Sequence, residues 1–185
     1  MSLAVRSAVS HRSAALAHGL PLVGDFPERP ELTVQRENRC TTSGTRLYTA
    51  RLFRGHTVGV DGMMCTSVER TISDIARSHP LYHAVVAGDF AARHNLMHDD
   101  DVALVLQDCW TWRGIARTKR ALGFLDARAE SPGESVSRLV LAQHGLEPNE
   151  LQREIYVGGQ TFRVDFWWRT PQGPGLVGEF DGFVK

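Results

Sequence analysis

The stretch that most limits how this chain can fold is its last thirty residues. Between residues 161 and 168, Phe162, Val164, Phe166 and Trp168 alternate with Thr161, Arg163, Asp165 and Trp167. A period of two is that of a β-strand with one apolar and one largely polar face. Residues 169–175 then hold Pro171, Gly173, Pro174 and Gly175, a turn signature. From Leu176 a second strand returns. Folding this hairpin about Gln172 sets Trp168 opposite Leu176, Phe166 opposite Gly178 and Asp165 opposite Glu179. Opposed side chains have Cβ atoms roughly 4.5–5.5 Å apart, where like charges repel. Two carboxylates so placed invite a cation. Mg²⁺ suits them, being a hard ion that takes one or two carboxylates, waters and phosphate oxygens. The same register sets Arg163 opposite Asp181 as an ion pair.

Upstream, the periodicity is mixed. Residues 10–21 read as a short helix with Ser10 as N-cap, Gly19 as its stop and Pro21 beyond. His11 and Arg12 in its first turn are either phosphate contacts or plain surface residues. Strands are expected at 32–35, 47–53 and 57–60, amid Arg36, Arg39, Arg46, Arg51 and Arg54. Thr66 to Glu69 reads as a capping box opening a helix with Val68, Ile72, Ile75 and Ala76 inward. Further helices are expected over about 81–94 and from Asp99-Asp100-Asp101, acidic residues that favour a helix N-terminus. Residues 112–127 form a basic helix with Arg113, Arg117, Lys119 and Arg120, flanked by Trp110 and Trp112. Basic side chains beside aromatics suit a nucleic-acid backbone, and equally a solvated helix face. Ser131, Pro132 and Glu134 open the last helix as N-cap, first residue and capping-box partner. A strand over 152–157 leads into the hairpin.

Charge is uneven although the 21 basic and 21 acidic residues balance. A basic front and an acidic back suit a protein that meets nucleic acid with one part and holds metal with another, or simply two solvated surfaces. Cys40, Cys65 and Cys109 lie too far apart for a zinc motif and read as reduced thiols in a cytoplasmic protein. No apolar run approaches the ~20 residues of a membrane helix, so no membrane partner is expected.

Ser131-Pro132-Gly133-Glu134-Ser135 on a helix, Val164-Asp165-Phe166 on one strand and Gly178-Glu179-Phe180-Asp181-Gly182-Phe183-Val184-Lys185 on the next give an α-β-β-β order. In these features residues 129–185 resemble the PD-(D/E)xK nuclease superfamily, in the branch similar to very-short-patch repair endonucleases. Upstream, Ser10-His11-Arg12-Ser13-Ala14-Ala15 and the run from Thr66 to Arg77 resemble the middle part of actinobacterial abortive-infection antitoxins. The resemblance implies an α+β protein, an antitoxin-like region over 1–128 and an incomplete nuclease domain over 129–185. It implies Mg²⁺- or Mn²⁺-dependent hydrolysis of DNA, with Asp165 and Glu179 as metal ligands. Glu134 would reach the metal shell or orient water, and Lys185 would stabilise charge on the phosphate. Asp181 stands where the superfamily places a lysine, and Lys185 would take that role. A cognate toxin is the further partner implied. Relatives of this kind usually begin with a winged helix and continue past the third strand, so the chain reads as truncated at both ends. The rival expectations are a non-catalytic DNA-binding regulator and a protein-interaction module.

Overall fold

The computed structural model describes residues 7–35 and 44–182, and Arg36, Arg39, Cys40 and Lys185 lie outside them. The fold is α+β. Its first sheet contains β1 (Ser7–Val9), β2 (Glu31–Val34), β3 (Arg46–Thr49), β4 (Thr57–Val60) and β5 (Met63–Thr66), in the order β3-β2-β1-β5-β4. The sheet is mixed: β1 runs antiparallel to β2 and parallel to β5, and β2 runs parallel to β3. Asp61 and Gly62 turn β4 into β5 with left-handed φ of 47° and 77°, the backbone of a type I′ hairpin. The strand expected over 47–53 stops at Thr49, and β1 and β5 were not anticipated.

Five longer helices follow the short α1 (His11–Ala17): α2 (Val68–Ser78), α3 (Leu81–Arg93), α4 (Asp99–Asp108), α5 (Ile115–Gly123) and α6 (Pro132–Gln143). Ile72, Ile75 and Ala76 of α2 meet Ala84, Val85, Ala87 and Ala91 of α3, Ala121 of α5 and Leu139 of α6 in one buried cluster. The expected stripe of α2 is therefore its core face. Its cap differs: Ser67, not Thr66, accepts the Arg70 amide at 3.3 Å. Thr66 is drawn away by Thr71, hydroxyl to hydroxyl at 2.6 Å, and Glu69 accepts the His98 amide ahead of α4 at 3.3 Å. The basic helix expected over 112–127 is shorter, because Gly114 at φ 88° precedes it in a left-handed conformation.

The second sheet is antiparallel, β6 (Glu150–Val157), β7 (Gln160–Trp168) and β8 (Leu176–Gly178), in that order. Gly158 and Gly159, at φ 61° and 86°, make the two-residue turn between β6 and β7. The expected register of β7 against β8 holds for Trp168↔Leu176 and Phe166↔Gly178. The expected burial does not hold throughout. Val164, Phe166 and Trp167 are buried, whereas Phe162 is exposed near the free end of the hairpin. Trp167 is covered on the supposedly polar face because the Arg153 guanidinium lies 3.6 Å from its ring centroid. Gly175 also lets the 169–175 turn close over it, since a Cβ there would stand 2.4 Å from Trp167 Nε1.

Candidate functional site

The capping box at the start of α6 forms as its sequence implies, and it does more than end a helix. Ser131 Oγ accepts the Glu134 amide at 3.2 Å and donates to Glu134 Oε1 at 2.8 Å. Glu134 Oε2 accepts the Glu130 amide at 2.9 Å. These bonds hold the Glu134 carboxylate, 8% exposed, at the mouth of the second sheet. There the Gln152 side-chain amide nitrogen donates to Glu134 Oε2 and to Asp165 Oδ1, both at 2.9 Å. The other oxygen of Asp165 accepts the Phe180 amide at 2.8 Å. Two carboxylates from separate elements thus face a single point, with a neutral amide between them.

The backbone is shaped for this arrangement. Gln152 has φ 52°, and the β6–β7 ladder pairs Leu151 with Phe166 and Arg153 with Val164 but skips the position between. A non-glycine residue in the left-handed region costs of order 1–3 kcal/mol, and such strain clusters at functional sites. Gly133 lets the chain after β8 cross the first turn of α6: a Cβ there would stand 2.0 Å from Phe180 Cε1.

The structure brings together two of the four residues read as catalytic, Glu134 and Asp165. Glu179 lies one position beyond the end of β8, next to the Phe180 amide that binds Asp165. Its side chain is exposed, and no hydrogen bond or ion pair engages it among the described residues. Lys185 falls outside the described residues. Gln152 was missed; folding the β6–β7 hairpin about Gly158 and Gly159 would have set it opposite Asp165. Arg163 pairs with Glu130 at 2.6 Å, and not with Asp181. Glu130 also binds Arg93 at 2.7 Å, which draws the β7 guanidinium toward α3.

Does a divalent cation fit? The two oxygens that Gln152 bridges are hard donors converging on one atom, the donor chemistry Mg²⁺ and Mn²⁺ take. A glutamine amide can also present its carbonyl oxygen in place of its nitrogen. Among the described residues, however, no three His, Cys, Asp or Glu side chains gather as a metal centre. The fit rests on Glu134 and Asp165; Glu179 is the next carboxylate along the chain beyond β8.

The basic residues of the α5 region divide. Arg113, Arg117, Lys119 and Arg120 are all exposed. Arg117 is spent on structure: its guanidinium donates to the carbonyls of Arg77 and His79 at the end of α2. Trp112 faces inward, its ring between the guanidiniums of Arg70 and Arg77 at 4.5 and 4.8 Å. Of the two tryptophans expected beside a nucleic-acid surface, Trp110 is the exposed one, at 70%. His94, just past the end of α3, stacks on Phe90 at 4.0 Å and contacts its carbonyl.

Residues from the 10–15 and 66–77 stretches join His56 in a buried polar cluster. Arg70, 0% exposed, donates to Asp74 Oδ2 at 2.9 Å and to His56 Nδ1 at 2.8 Å. Arginine has no acceptor, so His56 Nδ1 carries the lone pair and Nε2 the hydrogen. That Nε2 lies 3.1 Å from Asp108 Oδ2. Burial and then Arg70 hold the His56 pKa below its ordinary value, against the pull of Asp108 and Asp74. His11 is lowered to about 4, chiefly by burial. Glu31, 2% exposed, accepts the Arg12 amide at 2.8 Å and the Tyr48 hydroxyl at 3.1 Å.

An α+β chain with a carboxylate pair at the junction of α6 and an antiparallel sheet is the class that fold and site define. No family model matches it. Two uncharacterized proteins of Mycobacterium tuberculosis, from two strains, are each 36% identical to it over 110 residues. The matched stretch is 59% of this chain and 41% of each relative, so the chain spans less than half the length of these proteins.

Proposed function

We propose that this chain is a divalent-metal-dependent endonuclease acting on DNA phosphodiesters. The observation that carries the reading is the convergence of Glu134 Oε2 and Asp165 Oδ1 on one atom, 2.9 Å from each. Glu134 and Asp165 would hold the ion, joined by Glu179. A bound Mg²⁺ or Mn²⁺ supplies Lewis-acid polarisation of phosphate and acidifies water. The chain's own groups do the rest. Ser131 and the Glu130 amide fix the Glu134 carboxylate, and the Phe180 amide fixes Asp165. Gln152 keeps the two from collapsing onto other partners. Lys119 and Arg120 offer contacts to the DNA backbone, and Lys185 offers a charge for the phosphate undergoing attack. The test is incubation of supercoiled plasmid with the protein in Mg²⁺, in Mn²⁺ and in EDTA, beside Asp165→Asn. Nicking that needs metal and vanishes in the variant supports the reading. Intact plasmid in both metals rejects it.

A second reading has its own observation. Gln152 satisfies both carboxylates without any ion, as a nuclease fold retained as a scaffold would. A DNA-binding regulator of an antitoxin type, with a cognate toxin as partner, would bind DNA in EDTA with strong salt dependence and cut nothing.

A further inference from the structure

A second concave site lies away from the carboxylate pair. It is a cavity of about 530 Å³ where α1, β3, α2 and the start of α5 meet, lined by His11, Tyr48, Asp74, Arg77, Arg113 and Arg117. Three arginines and one carboxylate line it, and that carboxylate is already taken. Asp74 Oδ2 accepts from Arg70 at 2.9 Å and Oδ1 from Arg77 at 3.0 Å. Since Arg70 lies buried beneath, the lining keeps a surplus of positive charge. The carbonyls at the end of α2 would oppose an anion, but Arg117 covers those of Arg77 and His79. Arg113 is exposed, and its guanidinium has no hydrogen-bond or ionic partner among the described residues. Arg77 Nε binds the Arg113 carbonyl at 2.9 Å, which ties the two arginines to one wall. Gly114 permits that closeness: a Cβ there would stand 3.2 Å from Arg77 Cβ.

The opposite wall is rigid. His11 is 4% exposed, has φ 53° and stacks on Tyr48 with ring centroids 3.5 Å apart. Its Nδ1 is joined to Ser10 Oγ at 2.9 Å, and among the described residues nothing hydrogen-bonds Nε2. Strain in a buried histidine beside a polar cavity is the mark of a shaped site. The volume falls within the ~300–1,000 Å³ of small-molecule sites. Among the described residues, Arg77 keeps Nη2 free of the bonds that engage its Nε and Nη1, and a guanidinium presents donors suited to phosphate oxygens.

We propose that this cavity binds a terminal phosphate monoester, with Arg77 and Arg113 on the phosphate and His11 and Tyr48 as the facing wall. The monoester is that of a free nucleotide or the 5′ end of a nucleic acid. Calorimetric titration in EDTA, which removes any role of metal, uses inorganic phosphate, adenosine monophosphate and adenosine. Phosphate and the monophosphate should bind and adenosine should not. Arg113→Ala should weaken the monophosphate at least tenfold while leaving the melting temperature of the free protein unchanged. Arg128→Ala, remote from the cavity, should bind as the parent does. A 5′-phosphorylated oligonucleotide that outcompetes both the monophosphate and its 5′-hydroxyl counterpart assigns the site to nucleic-acid ends. Otherwise a free nucleotide is the ligand. The proposal is overturned if neither phosphate compound binds, if adenosine binds equally, or if Arg113→Ala and Arg128→Ala weaken binding alike. Asp165→Asn should retain the binding, so this result stands or falls apart from DNA cleavage.

Discussion

Gln152 is the residue on which the carboxylate site turns. Its amide is neutral and donates to two anions, so replacing it by a third carboxylate is a sharp probe. Gln152→Glu should lower the unfolding free energy in EDTA by about 1–3 kcal/mol, because two bridging hydrogen bonds become repulsions. Mg²⁺ or Mn²⁺ should restore the loss, and thermal melting with and without metal measures both. His11 gives a residue-scale pH prediction. Its pKa falls from 6.5 to about 4 on folding, mainly through burial. The unfolded chain therefore binds more protons between those values, and stability is lost as pH drops below 6.5. The full loss at low pH is of order 3 kcal/mol. Between pH 6.5 and 5, where ordinary carboxylates stay ionised, His11→Asn should reduce the slope of denaturation midpoint against pH, the rest coming from His83, His56 and His79, which folding also lowers. Asparagine tolerates the left-handed backbone, so the fold should survive the change. Sequence showed Glu134 and Asp165 because each sits in a local pattern, a capping box and an alternating strand. The Gly158-Gly159 turn carried the register that sets Gln152 opposite Asp165, but nothing in a glutamine signals the φ of 52° that aims its amide at both carboxylates.

At the scale of elements, the second sheet was legible for a simple reason. A period of two, a proline- and glycine-rich turn and one assumed fold point give a register, and Phe166↔Gly178 bears it out. Burial failed at Trp167, because a long arginine stem and a closing turn cover the face that alternation assigned to solvent. The crossing of the chain over α6 supplies the element-scale prediction. Gly133→Val should push the Phe180 ring from the first turn of α6 and break the Phe180 amide bond to Asp165. Hydrogen exchange at the Phe180 amide should then speed up by at least tenfold, while the amides in the middle of α6 stay protected. Unchanged exchange at Phe180 would mean that its ring does not hold the segment in place.

At the scale of the molecule, α6 belongs to two neighbourhoods. Its N-terminus serves the second sheet, while Leu139 joins the core built by α2, α3 and α5. Asp89 of α3 binds Arg138 of α6 at 2.8 Å, with both side chains buried, and Ser135 donates to the same carboxylate oxygen at 2.6 Å. Removing one partner of a buried pair costs about 3–5 kcal/mol. Asp89→Ala should therefore destabilise by that amount, and one cooperative transition should report on the helices and the second sheet together in a urea melt followed by far- and near-ultraviolet dichroism. Little of this was legible beforehand. The buried cluster of His11, His56, Arg70 and Asp74 draws on positions up to 63 residues apart, and periodicity sees only neighbours. The proposed metal site, where Glu134 and Asp165 meet, is tested most directly by calorimetric titration of Mn²⁺. One site is expected in the parent, with at least tenfold weaker binding in Asp165→Asn. Equal binding in the two proteins, or none in either, would contradict it.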